Sequence, residues 1–180
     1  MKKNVRPRTD RMPPGSPVTF MKSFLRPLLF LTLPLFVADQ VTKWMVVQNI
    51  RTDEPMPVIP GFLNFVQVYN TGAAFGILKD SNAFFIVLAS TALVVIAVLA
   101  ARGAFAGTLL RVGAALLVAG VLGNLADRIF RGYVMDFLDV ILPWYGHWPA
   151  FNIADSCICL AAGLFILESF LPKKPTVAKE

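Results

Sequence analysis

The chain has 180 residues, 56% of them hydrophobic and 16% charged, with a mean hydropathy of +0.64. A soluble domain holds roughly 45–50% apolar and about 25% charged residues, so this composition excludes an ordinary globular domain and points to a bilayer as the main solvent. The net charge of +6 would suit a nucleic-acid binder. The lysines and arginines, however, gather at the ends of apolar runs and form no even basic face, so no nucleic-acid partner is expected.

Residues 1–22 are polar and basic, with Pro7, Pro13, Pro14 and Pro17, and read as a disordered tail. Met21 is a second candidate start. An apolar run follows over 28–47. Basic residues precede it, as in a signal peptide. Yet Val37-Ala38-Asp39-Gln40 has no small-x-small cleavage pattern and the run continues through Trp44, so a retained membrane helix is expected, bent at Pro34. Residues 50–81 are rich in proline and glycine, and Phe62 to Tyr69 alternate apolar and polar, the period of a strand. A small β-element lying on the membrane surface is expected there.

Three further apolar runs cover 83–101, 109–130 and 151–171. Each has the approximately 20 residues that a helix needs to cross a core of about 30 Å. The expected fold is therefore mainly α, with four transmembrane helices, a β-element between the first two and a second outer loop over 131–150 between the last two. Residues 23–171 form one membrane domain, flanked by the tail 1–22 and a C-terminal tail over 172–180. Twelve of the seventeen Lys and Arg residues fall before the first apolar run (up to Arg26), in the connection at 102–111 or in the C-terminal tail. That bias places both termini in the cytoplasm. The β-element and the 131–150 loop then face outward, with Trp44, Trp144, Tyr145 and Trp148 at the outer interface.

Cys157 and Cys159 are two apart on one helical run and point in different directions, so they read as packing residues and not as a disulfide. His147 is the single histidine, and no His, Cys and carboxylate pattern has zinc spacing. No metal and no cofactor are expected.

Five aspartates stand within or beside apolar runs: Asp39, Asp127, Asp136, Asp139 and Asp155. Charges near hydrocarbon are costly and mark function by default. Asp136 follows the third helix. Asp155 lies about five residues into the fourth, roughly 6–8 Å below its start at about 1.5 Å per residue. The two can meet near the outer surface and share one proton, because adjacent carboxylates cannot both ionise easily. Such a pair suits water attack on an amide: one acid takes a proton from water while the other hydrogen-bonds the carbonyl oxygen. Helix capping is the plainer role for either acid, although Asn152 is the better cap candidate. Asn124, Asp127 and Arg128 are neighbours by helical spacing, and so are Asn152 and Asp155. Asp39 and Lys43 are spaced for an internal ion pair. Structural support is the expected role of Asp39, Lys43, Asp127 and Arg128. Gly113 and Gly120 lead up to Asn124 as a small-residue stripe that allows close helix packing.

The chain resembles lipoprotein signal peptidase (signal peptidase II), a family of membrane aspartyl proteases, over about residues 24–170. The resemblance rests on five blocks in order: Asp39-Gln40-Val41-Thr42-Lys43, Asn70-Thr71-Gly72-Ala73-Ala74-Phe75, Gly123-Asn124-Leu125-Ala126-Asp127-Arg128, Val134-Met135-Asp136-Phe137 and Phe151-Asn152-Ile153-Ala154-Asp155. It implies that Asp136 and Asp155 are the catalytic pair. It implies that Asn70, Gly123, Asn124, Arg128 and Asn152 line or brace the site with Asp39 and Lys43, and Asp127 and Ala154 in the same blocks are grouped with them. It also implies removal of the signal peptide from diacylglyceryl-modified prolipoproteins in the bacterial inner membrane, just before the lipid-bearing cysteine. Lipid-modified prolipoproteins and membrane phospholipid are the expected partners, and the chain is expected to act as a monomer. The alternatives are a small proton- or ion-coupled carrier, which also uses intramembrane carboxylates, and a non-catalytic scaffold.

Overall fold

The computed structural model of the chain describes residues 25–72 and 78–172. The expected N-terminal tail, residues 73–77, which include the end of the block that starts at Asn70, and the C-terminal tail from 173 lie outside them. The first helix opens with a π-turn, Leu28–Thr32, and continues as α1, Leu33–Asn49. Pro34 has no N–H to offer the carbonyl four residues back. The helix adjusts just before it, where the Leu33 N–H bonds Leu28 O, five residues back. The disturbance expected at Pro34 therefore takes the form of a local register change.

Two strands follow, β1 (Met56–Ile59) and β2 (Leu63–Asn70), paired antiparallel in the segment where alternation predicts a β-element. Next come α2 (Asn82–Ala101) and α3 (Thr108–Phe130). The second connection, expected as a loop, is largely sheet: β3 (Val134–Leu142) and β4 (Gly146–His147) join the first two strands in the order β1-β2-β3-β4, all antiparallel. The reason for the difference is burial. Val134, Met135, Asp136 and Phe137 are all buried, so this strand lacks the one-sided alternation by which strands are read from sequence. The last helix, α4, spans Ile153–Phe170.

Among the described residues four helices, Leu25–Asn49, Asn82–Ala101, Thr108–Phe130 and Ile153–Phe170, are long and apolar enough to cross a bilayer. The central one is α3. Half of its most apolar stretch is buried inside the protein, against 11% in α2, whose Phe84, Val87, Leu88, Val94 and Val95 are exposed for lipid contact. Two glycines let α3 lie close to its neighbours. A Cβ on Gly120 would collide with the Ala154 carbonyl and Ile158 at the head of α4. One on Gly123 would fall 2.7 Å from Asp39 Oδ2 and 2.9 Å from the Ala154 Cβ. The small-residue stripe thus seats α1 and α4 directly on α3.

The sheet is fastened to the same end of the bundle. The last carbonyls of a helix have no partner within it. At the end of α1, buried Gln67 of β2 supplies one, its Nε2 donating to Val46 O at 3.2 Å, Val47 O at 3.3 Å and, in a short contact, Ile50 O. After α3 the chain turns through Gly132, whose φ of +82° favours glycine, and enters β3.

Candidate active site

Asp136 sits in the middle of the buried part of β3, 2% exposed. Its Oδ2 accepts from Asn70 Nδ2 at 2.9 Å and its Oδ1 from Asn152 Nδ2 at 2.7 Å. Asn70 ends β2, which pairs with β3, and Asn152 precedes α4, so two strands and one helix fix this carboxylate. Burial pushes its carboxyl up to about 7, and the nearby Asp155 charge adds to the rise. The Asn70 and Asn152 amides, and Lys43 further off, hold it back.

Asp155 is the third residue of α4, nearer the helix start than the sequence spacing suggests, because Asn152 and not Phe151 opens the helix. Asn152 is the N-cap. Its Oδ1 accepts from the Asp155 N–H at 2.9 Å, and Asp155 Oδ2 accepts from the Asn152 N–H at 3.2 Å, a reciprocal capping box. Capping and site membership therefore coincide in Asp155. Its other oxygen, Oδ1, accepts from Asn124 Nδ2 of α3 at 2.7 Å. Asn152 also donates to Asn124 Oδ1 at 3.2 Å, so the amides of Asn124 and Asn152 link the two acids.

Both acids line one cavity of about 650 Å³. Asn70 contributes to its rim. The segment Trp148 to Phe151 forms one wall, and Ser156, Ile158, Cys159 and Leu160 of α4 form another. The lining is largely apolar, with the two carboxyl groups and a few amides as its polar points. Such a lining suits an apolar ligand held beside a pair of acids.

A second cluster lies beneath the first. Lys43, fully buried, bridges Asp39 Oδ2 at 2.8 Å and Asp127 Oδ2 at 2.9 Å. Asp39 Oδ1 accepts from the Ala154 N–H at 2.9 Å, Asp127 Oδ2 accepts from the Met135 N–H at 3.2 Å, and Arg131 closes a short ion pair on Asp127. Gln40 Nε2 spans Asp39 Oδ2 at 3.1 Å and Gly123 O at 3.2 Å. The cluster therefore pins α1 to α3, to the start of β3 and to the first turn of α4. It reaches the acids through one amide, since Lys43 Nζ donates to Asn124 Oδ1 at 3.3 Å.

The residues singled out in the sequence divide accordingly. Asn70, Asn124 and Asn152 touch the acid pair. Asp39, Lys43, Gly123, Asp127 and Ala154 make up the network below. Arg128 hydrogen-bonds neither cluster, although its charge acts on Asp136, Asp155 and Asp127: its Nη2 donates to Gly72 O at 2.7 Å and its guanidinium lies 4.3 Å from the centre of the Phe85 ring, so it braces the segment just after β2 against α2. Asp139 belongs to neither group and pairs with Asn64 and His147. Sequence reading missed Gln67 and the cavity wall at 148–151. A lone glutamine in an alternating strand carries no motif, and apolar wall residues look like core. Among the described residues, no group of three or more His, Cys, Asp or Glu side chains is arranged to hold a metal ion.

The sequence profile of the family described as Signal peptidase (SPase) II matches residues 31–171. A lipoprotein signal peptidase of Syntrophotalea carbinolica is 42% identical over 149 residues, which cover 81% of this chain and 91% of that protein. One from Neisseria meningitidis serogroup C is 43% identical over 152 residues, 80% of this chain and 89% of the relative. One from Klebsiella pneumoniae is 38% identical over 157 residues, 84% and 92%. A bacterial membrane enzyme solved by the in meso method at 2.3 Å superimposes with a TM-score of 0.74 at 31% identity, covering 87% of this chain and 96% of its own.

Proposed function

The chain belongs to the signal peptidase (SPase) II family, and on that premise we propose that Asp136 and Asp155 are its catalytic pair. It is a multi-pass membrane protein and an aspartic protease that removes the signal peptide from prolipoproteins. Membership in a peptidase family leaves the carrier reading without support.

The observation that carries the assignment is the setting of the two acids. Both face one cavity, and their hydrogen bonds come from amides, with no cation among them. Buried carboxylates so placed hold one proton between them near neutral pH. In the reaction, the ionised acid takes a proton from water as its oxygen attacks the scissile carbonyl carbon. The protonated acid gives its proton to the carbonyl oxygen, and a tetrahedral diol forms. Collapse of the diol breaks the C–N bond, with a proton passing to the leaving amine, and leaves one proton on the pair. Asn70, Asn124 and Asn152 hold the two carboxyl groups in place for this exchange.

The bond cut is the one before a cysteine that carries diacylglycerol. The apolar cavity walls suit a lipid-bearing substrate, and the substrate's lipid chains and its signal helix remain in the bilayer as anchors. The Lys and Arg distribution supports cytoplasmic termini, which sets the acid pair near the outer face of the bacterial inner membrane. Exposure of Trp44, Trp144, Tyr145 and Trp148 fits that placement and contact with phospholipid headgroups.

The test uses the full chain in lipid bicelles with a diacylglyceryl-modified signal peptide. Asp136→Asn and Asp155→Asn each abolish cleavage while insertion and yield stay normal, and a strong chelator leaves the unaltered enzyme active. Full cleavage by either variant would remove the pair from the mechanism.

A further inference from the structure

Asp139 is a buried carboxylate that the chemistry above does not use. It lies on β3 and is 6% exposed. Its Oδ2 accepts from Asn64 Nδ2 of β2 at 2.8 Å, across a direct strand pairing. From the other side, His147 Nδ1 of β4 stands 2.8 Å from Oδ1 and 2.9 Å from Oδ2. One buried carboxylate thus ties three adjacent strands through side chains. A carboxylate taken out of water is tolerated only when hydrogen-bonded or paired, and Asn64 and His147 are the two side chains that meet this one.

The strand that His147 belongs to is short. β4 has two residues and two ladder pairs, Ile141↔His147 and Leu142↔Gly146, with one further backbone bond from the Trp148 N–H to Val140 O at 2.8 Å. Immediately after it, residues 148–150 run along the cavity as its wall. At the far side of that wall the chain is fastened again to β3: the Phe151 N–H bonds Leu138 O at 3.1 Å, and the Leu138 N–H bonds Phe151 O at 2.8 Å. The wall is therefore a strap held at both ends by one strand. Asn152 and Asp155 follow the Phe151 end, and the His147 end carries the histidine–aspartate tie. Pro149 in the middle has no N–H with which to add a backbone bond.

We propose that His147 is a positioning residue for substrate binding: through Asp139 it fixes the near end of the strap and so the Trp148–Pro149–Ala150 wall against which the substrate lies. It does not touch the acid pair. Asp136 is held from Asn70 and Asn152, on the opposite side of the strap's far anchor. Loosening the near end therefore weakens the hold on the substrate in the ground state and the transition state alike, which raises KM and leaves kcat in place.

The inference rests on the acid pair being the catalytic centre. Cleavage by the unaltered chain, and its loss in Asp136→Asn, tests that premise separately in the same assay. The measurement is steady-state cleavage of a diacylglyceryl-modified signal peptide by the full chain in bicelles. His147→Phe keeps a ring and removes the donor; KM rises about fivefold, the upper worth of one solvent-screened tie, while kcat stays within about twofold. His147→Asn places an amide N–H close to where Nδ1 stood and brings KM back to within about twofold of the original value. Unchanged KM in His147→Phe would overturn the inference. So would a fall in kcat matched to the rise in KM and not repaired in His147→Asn, because that pattern marks general loss of structure.

Discussion

Two pairs of aspartates lie at one end of the bundle, and they differ in what stands between them. Asp39 and Asp127 share the buried ammonium of Lys43, with Arg131 as a second cation on Asp127. Asp136 and Asp155 have only amides for hydrogen-bond partners, from Asn70, Asn124 and Asn152. The first pair is neutralised and serves as a fixed foundation. The second is buried with no cation in hydrogen-bond contact, so the cost of a second negative charge is met by keeping a proton, and Asp136 rises to about 7. The same side chain in two settings a few residues apart does two kinds of work, and the neighbours decide which.

The largest effect is expected from removing the cation in the foundation. Lys43→Met leaves two carboxylates buried with no ammonium between them, and truncating one partner of a buried pair costs about 3–5 kcal/mol. Thermal unfolding in detergent shows a large drop in Tm, and activity falls with it because Lys43 also holds Asn124 beneath Asp155. An unchanged Tm would mean that the cluster is not the foundation described here.

The acid pair can then be made to resemble neither case. Asn152→Asp replaces the amide on Asp136 by a third carboxylate and removes a donor from the site. At pH 7, kcat falls by about a hundredfold or more, because the proton no longer belongs to the pair alone. Steady-state cleavage reads the loss, and activity within a few-fold of the original would show that amide neighbours are not what tunes the pair.

A smaller effect sharpens the contrast. In the proposed mechanism, the alkaline limb of the pH–rate profile marks loss of the proton that the pair holds. The Asn70 hydrogen bond favours the ionised form of Asp136 and so holds its pKa down. Asn70→Ala removes that bond, the pKa rises further, and the alkaline limb moves to higher pH by up to about one unit. A shift to lower pH would reverse the role given to this amide. Stability follows the same sign. Asp136 is raised above its unfolded value of 3.8, so the folded state is favoured below that value and loses the advantage as pH climbs towards about 7. In Asp136→Asn that loss is absent, and its Tm relative to the original chain therefore rises between about pH 4 and 7.

Much of this is legible in the chain itself, for identifiable reasons. Four apolar runs are long enough to span a bilayer. Asp39 and Lys43 are four apart on one helix, so their ion pair follows from the spacing. Glycines at 113, 120 and 123 leave room that only a packed neighbour fills. The second connection was harder. Asp136 and Asp139 are three apart in an apolar stretch buried on both faces, so neither strand nor helix period stands out, and the pairing of β3 with β2 depends on residues some 70 positions away. The start of α4 shifts by two residues because the Asn152 capping box competes with apolar Phe151 as the opening position. The tie between His147 and Asp139 has no sequence signal, since a single exposed histidine matches no spacing pattern until the hairpin closes.

In the proposed mechanism Asp136 and Asp155 act together on one water. The decisive measurement is a crystal structure with a lipid-bearing peptide whose scissile carbonyl is replaced by a hydroxyl-bearing carbon. The result expected is the hydroxyl within hydrogen-bond distance of both carboxyl groups, against the wall formed by Trp148. A hydroxyl held by one acid alone, or seated away from both, would contradict it.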